Sequence, residues 1–173
     1  VEQQLAPTPE LNAVQTQLAE FSDGLKTHLS REIAGGLNGR LLLRLAGVFH
    51  DVCKRGTQTK DENGRIRFLG HDKIGADSTA AQLRTLSFSN QAIKQVETAV
   101  SGHMRPLQLA QTGKLPSRRA SYRYFQATQE TGLDIGLLSL ADHLATYGGA
   151  GDEAQWQNLT AVVAELFRQY FEQ

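Results

Sequence analysis

Leu41-Leu42-Leu43-Arg44-Leu45-Ala46-Gly47-Val48-Phe49-His50-Asp51-Val52-Cys53-Lys54 is an apolar run that ends in a histidine and an aspartate side by side. Its composition predicts a helix over 38–53 that is apolar most of the way round, buried at almost every position and therefore central to a bundle. A His-Asp pair at the C-terminal end of such a helix sits where core meets cleft. A carboxylate buried there needs a compensating cation. Lys or Arg meets that need, and so does a metal ion held between an imidazole nitrogen and a carboxylate oxygen. Further along the chain His71, His103 and Asp142 are candidates to join it, each on its own helical segment.

On the N-terminal side, residues 1–10 read as coil or linker and 11–173 as one domain. Thr8-Pro9-Glu10 has the form of an N-cap, a proline at the first helical position and an acid in the first turn. Leu11, Val14, Leu18, Phe21, Leu25, His28, Leu29 and Ile33 then recur at helical spacing, and Gly35-Gly36 is expected to stop that helix. On the C-terminal side Asp61-Glu62-Asn63-Gly64-Arg65 is a turn signal, so 55–69 is expected to be a loop with a short hairpin. A third helix opens at His71 and runs to about 86 with Ile74, Ala81 and Leu83 inward. A fourth, 90–102, buries Ile93, Val96 and Val100 and delivers His103. Residues 104–116, with Pro106, Gly113 and Pro116, read as a polar connection. Helices over 118–131, stopped by Gly132, and 134–147 follow, with a break at 148–151. Asp152 and Gln155 then form a capping box for a last helix bearing Trp156, Leu159, Val162, Val163, Leu166, Phe167 and Tyr170. The expected fold is all-α, a single bundle-like domain of about seven helices.

The chain has 173 residues, enough to bury a core, and 18 basic residues balance 18 acidic ones. No global field favours a nucleic acid or an anionic membrane, so any basic patch must be local. One cysteine, Cys53, excludes an internal disulfide and fits a reducing compartment; no leader or apolar run long enough to span a bilayer is seen. The expectation is a soluble, cytoplasmic protein without a membrane partner. The sequence begins at Val1 with Met104 its only methionine, which suggests excision from a longer polypeptide with further domains. Oligomeric state is left open.

Imidazole and carboxylate together suit manganese, iron, cobalt, nickel or zinc, and magnesium where waters complete the shell. A set of His50, Asp51, His71 and Asp142 leaves positions for water, which marks catalysis rather than structure. Such an ion activates water and polarises a phosphoryl oxygen, chemistry suited to phosphoester hydrolysis. Any one histidine taken alone is more simply a part-buried residue bonded to a neighbour. Four of the five, however, lie at a helix end or start or beside an aspartate.

At these residues the chain resembles the HD-domain superfamily of metal-dependent phosphohydrolases, whose pattern is a histidine, a His-Asp doublet, one or two further histidines and a late aspartate. Leu45 to Lys54, Gly64-Arg65-Ile66-Arg67-Phe68-Leu69-Gly70-His71-Asp72-Lys73-Ile74-Gly75-Ala76, Leu86-Ser87-Phe88-Ser89-Asn90 and Gly102-His103-Met104-Arg105-Pro106 look like the HD region attached to bacterial tRNA nucleotidyltransferases and poly(A) polymerases. The resemblance implies a divalent metal ion on His50, Asp51, His71 and Asp142. It makes His103 a ligand to a second ion or a phosphate contact, and His28 a candidate for the family's first histidine. It implies that Lys54 and Arg105 balance phosphate charge and that Asp72, where the family more often has glutamate, orients the attacking water. The implied substrate is a phosphomonoester, a cyclic phosphodiester or the end of a nucleic acid.

Cys53 and Arg55 stand where relatives usually carry glycine and proline, which alters the cleft's lip without removing a ligand. The polymerases' nucleotide-adding head needs a strand-borne pair of carboxylates beside its Gly-Gly turn. Gly35-Gly36 lacks that pair, so this chain alone is not expected to add nucleotides: a nucleotidyltransferase domain is missing from it, or it is a free-standing HD protein. Arg118, Arg119 and Arg123 alternate with Tyr122, Tyr124 and Phe125, a pattern that suits RNA phosphates and stacked bases. The same pattern suits a helix that buries aromatics and exposes arginines. The alternative function is therefore an HD-like RNA-binding or scaffolding region whose metal site is vestigial.

Overall fold

The computed structural model describes residues 9–147 and 153–172. The architecture is all-α, and the strands among the described residues are two small antiparallel hairpins. The first expected helix is broken: α1 (Pro9–Gln17) passes through a single 3-10 turn and restarts as α2 (Ser22–Ser30). Leu18, Phe21 and Leu25 keep one buried stripe across the break. Ile33 is not helical; it lies in β1 (Glu32–Ala34), paired with β2 (Leu37–Asn38). Gly35 and Gly36, at φ +60° and +80°, form the two-residue turn between them. A left-handed backbone ends helices and closes hairpins alike, so the dipeptide does not tell the two apart.

The Asn38 side chain accepts the Leu41 N–H at 3.0 Å and starts α3 (Gly39–Phe49), which ends short of the expected Cys53. Nor is α3 buried all round. Leu42 and Ala46 are core residues, but Leu41 is exposed and Val48 is 75% exposed. The central helices are instead α5 (Asn90–Gly102) and α8 (Thr131–Tyr147), the latter buried at nearly every position from Thr131 to Leu140. The hairpin expected in 55–69 is present as β3 (Gln58–Lys60) and β4 (Ile66–Phe68). In α4 (His71–Thr85) Leu83 faces inward as expected, whereas Ile74 and Ala81 are exposed. Gly75, Ala76, Thr79 and Ala80 take the buried stripe because small residues let α4 lie close against α5, where a Cβ at Gly75 would already touch Val100 at 3.7 Å.

The connection expected over 104–116 contains a further helix, α6 (Arg105–Ala110). Pro106 lies in its first turn, where the missing N–H breaks no helical hydrogen bond. α7 (Arg118–Thr128) stops at Gln129, with φ +50°, rather than at Gly132. Gly132 belongs to the first turn of α8, and a Cβ there would sit 2.7 Å from the Phe125 ring. Its absent side chain permits a close helix approach, and Tyr124 donates its O–H to the Gly132 carbonyl at 2.7 Å. Splitting the first helix and adding α6 account for the excess over about seven helices. α9 (Glu153–Phe171) buries Trp156, Leu159, Val162, Val163, Leu166 and Phe167, with Phe167 edge-on to Phe21. The expected break at 148–151 and the capping box beginning at Asp152 lie outside the described residues. None of the described helices is long and apolar enough to cross a membrane.

Candidate metal centre

Three histidines reach one region from three helices by the same local device. His50 and His103 are the C-terminal caps of α3 and α5; His71 is the first residue of α4. In each, Nδ1 lies 2.7 Å from the carbonyl oxygen three residues earlier: Gly47, Val100 and Phe68 respectively. A carbonyl can only accept, so each Nδ1 carries the hydrogen and each neutral ring offers a bare Nε2. At α3 and α5 the bond also occupies a last-turn carbonyl that the helix cannot pair. The helix ends thus orient the rings in the manner of outer-shell partners of metal-bound histidine.

Those Nε2 atoms meet Asp51. Its Oδ1 lies 3.4 Å from His71 Nε2 and 3.9 Å from His103 Nε2, while Oδ2 lies 3.6 Å from His50 Nε2. His50 Nε2 is also 3.3 Å from Asp142 Oδ1. Asp51, His71 and His103 form one group whose donor atoms lie within 4.8 Å of one another; His50, Asp51 and Asp142 form a second. The aspartate is common to both. His71 and His103 point their Nε2 atoms at each other across 3.3 Å, and with both Nδ1 positions protonated neither has a hydrogen to offer. Asp51 Oδ1 is buried without a hydrogen-bond partner among the described residues. An orphaned carboxylate oxygen facing two bare imidazole nitrogens is a donor set that fits a divalent cation.

Burial, reinforced by the nearby His50 and His71, lowers the pKa of His103 and keeps its ring neutral and able to ligate. The hydrogen bond between them raises the pKa of His50 and lowers that of Asp142. Lys54 Nζ sits 2.6 Å from Asp51 Oδ2 and 5.6 Å from the centre of the Phe68 ring. A cavity of about 130 Å³ adjoins the cluster, lined by Lys54, His103 and Asp142 together with Met104, His143 and Thr146.

Other candidates lie elsewhere. His28 is not among the converging side chains: its Nε2 is 3.1 Å from Asp134 Oδ1, and Gln95 donates to Asp134 Oδ2 at 3.0 Å. Asp72 is half-buried in the first turn of α4, where an acid also favours the helix dipole, and it belongs to neither group. Arg105 is exposed at the start of α6, its charge acting on the buried Tyr124. Arg118, Arg119 and Arg123 are exposed along α7, as is Tyr122 at 60%. Sequence reasoning missed Phe68, which supplies a carbonyl to His71 and a ring to Lys54, and Ser139, whose O–H donates to the His103 carbonyl at 2.5 Å. Phe68 stands three residues before His71, the spacing at which Gly47 and Val100 stand before His50 and His103; that repetition was the available signal.

Residues 27–147 match the family model described as HD domain. The chain is 40% identical over 107 residues to the CC-adding tRNA nucleotidyltransferase of Thermus thermophilus, covering 61% of this chain and 23% of that protein. It is 35% identical over 115 residues to the A-adding tRNA nucleotidyltransferase of Deinococcus radiodurans, covering 65% and 25%. The matched segment thus spans about a quarter of the length of these curated relatives.

Proposed function

This chain belongs to the HD-domain family, and we propose that it is a metal-dependent phosphohydrolase that cleaves a phosphoester of a nucleotide or of an RNA end. The observation that carries the reading is the orphaned Asp51 Oδ1 facing His71 and His103. His50, Asp51, His71, His103 and Asp142 are the donors from among which the metal would be held. When bound, a divalent ion supplies Lewis acidity at the phosphoryl oxygen and eases the ionisation of water. Lys54, beside Asp51 and on the cavity, neutralises charge developing on the phosphoryl group. Asp72, next in sequence to His71, is assigned to orienting the attacking water. Arg105 is assigned to the outer part of a longer substrate, in keeping with its exposure. Residues 11–173 act as one unit, a reading supported by the burial of α9 in the same core as α5 and α8.

The test is direct. Protein purified without chelator, then soaked in manganese or nickel and desalted, should retain metal and cleave a generic phosphoester such as p-nitrophenyl phosphate. Retention below about a tenth of an equivalent would end the enzyme reading.

The exposed arginines of α7 favour a second reading: they flank an exposed tyrosine, and the relatives are by name tRNA nucleotidyltransferases. In it the helices grip RNA for a nucleotidyltransferase domain outside this chain, in the cytoplasm. Affinity for tRNA that depends on Arg118, Arg119 and Arg123 but not on His50 would favour it.

A further inference from the structure

The two donor groups sharing Asp51 are not equivalent, and the difference lies in Lys54. Asp51 Oδ1, on the His71 and His103 side, has no partner; Oδ2, on the His50 and Asp142 side, already has an ammonium at 2.6 Å. That ammonium is placed rather than dangling. Its carbon stem leaves a turn closed by the Lys54 N–H to the Asp51 carbonyl at 2.9 Å, and its head lies over the Phe68 ring. It lines the same cavity as Asp142, whose carboxylate it also helps to stabilise. On this side Asp51 Oδ2 is therefore met from within the chain by Lys54, and Asp142 Oδ1 lies 3.3 Å from His50 Nε2. On the other side two deeply buried imidazoles, at 9% and 1% side-chain exposure, face the carboxylate oxygen with lone pairs alone. A divalent ion entering the His50 and Asp142 side would have to displace the ammonium or lie against it, which like-charge repulsion opposes.

We infer that the centre holds a single divalent ion on Asp51 Oδ1, His71 and His103, and that the Lys54 ammonium stands in the second cation position formed by His50, Asp51 Oδ2 and Asp142. The inference rests on the metal reading proposed above and adds to it where the ion sits and why there is one. Lys54 then does for the phosphoryl group, as a fixed single charge, part of what a second ion would do.

The experiment reads metal content and spectrum, not turnover. Chelator-stripped protein is reloaded with excess Mn²⁺ and desalted; manganese is counted by mass spectrometry, and pairing of ions is read from exchange coupling in the electron paramagnetic resonance spectrum. Wild-type protein should hold one equivalent with an uncoupled signal. Lys54→Met, which keeps the stem and removes the charge, should rise to two with a coupled signal, and Lys54→Arg should stay at one. In the wild-type background, Asp142→Asn should keep its ion and His103→Ala should lose it; circular dichroism confirms that each variant is folded. Two equivalents in wild-type protein, one in folded Lys54→Met, or an ion lost with Asp142→Asn but kept with His103→Ala, each overturns this inference while leaving the metal reading intact. No manganese in either wild-type protein or Lys54→Met would instead remove the metal reading itself.

Discussion

Among the described residues two histidine–aspartate arrangements can be set side by side, and they differ in one respect. In the first, His28 faces Asp134 Oδ1 at 3.1 Å and Gln95 donates to Oδ2, so a carboxylate whose side chain is 1% exposed has both oxygens met. In the second, Asp51 has one oxygen on Lys54 and the other on nothing. The first is closed and holds α2, α5 and α8 together. The second is open, with bare imidazole nitrogens aimed at the oxygen that lacks a donor. Residue type is the same in both; what separates a structural pair from a cation site is the arithmetic of donors and lone pairs.

Removing the open carboxylate tests the contrast most severely. Asp51→Asn should abolish metal retention and lower phosphoester hydrolysis about a thousandfold or more, since it takes away the negative charge of the carboxylate common to both groups. Undiminished hydrolysis by this variant would overturn the assignment of the site. Breaking the closed pair should do the reverse. His28→Ala strands Asp134 and should cost about 3 kcal/mol of stability in urea unfolding, with metal content unchanged. Loss of metal without loss of stability would show that the two arrangements are not separate. Ser139→Ala should cost about 1 kcal/mol, because it removes the hydroxyl donor on the His103 carbonyl inside the core. A stability equal to wild type would mean that this bond contributes nothing.

The smallest effect lies at the rim of the closed pair, where Arg31 and Glu130 form a two-pronged, part-exposed bridge. The Arg31 hydrogen bond holds the Glu130 carboxyl below its ordinary unfolded value. The bridge therefore stabilises fully above that unfolded value, and its contribution is lost as pH falls through the lower folded one. With solvent screening the gain should be under about 1 kcal/mol. Arg31→Met should flatten the acid limb of a stability–pH curve; an unchanged limb would show that other carboxylates set it.

Much of this was legible in order along the chain. The caps Asn38, Ser89 and Ser117 mark three helix starts because a side-chain oxygen satisfies an N-terminal amide locally. The Asn63-Gly64 turn is equally local. What misled was any signal with two local meanings. Gly35-Gly36 suits a helix stop or a hairpin, Pro106 a break or a first turn, and Gly132 a terminus or a close approach of helices. Ile74 looked apolar enough to face inward, but the tight α4–α5 contact admits only small residues there.

The sequence by itself determined an all-helical chain carrying a His-Asp doublet at a helix end with later histidines and an aspartate, because capping, periodicity and adjacency are properties of a few neighbouring residues. Only the tertiary structure decided which histidines share a centre. It gave His28 to Asp134 and set His71 and His103 against Asp51, since pairing across 106, 20 and 52 positions depends on how helices pack and not on what stands beside each residue.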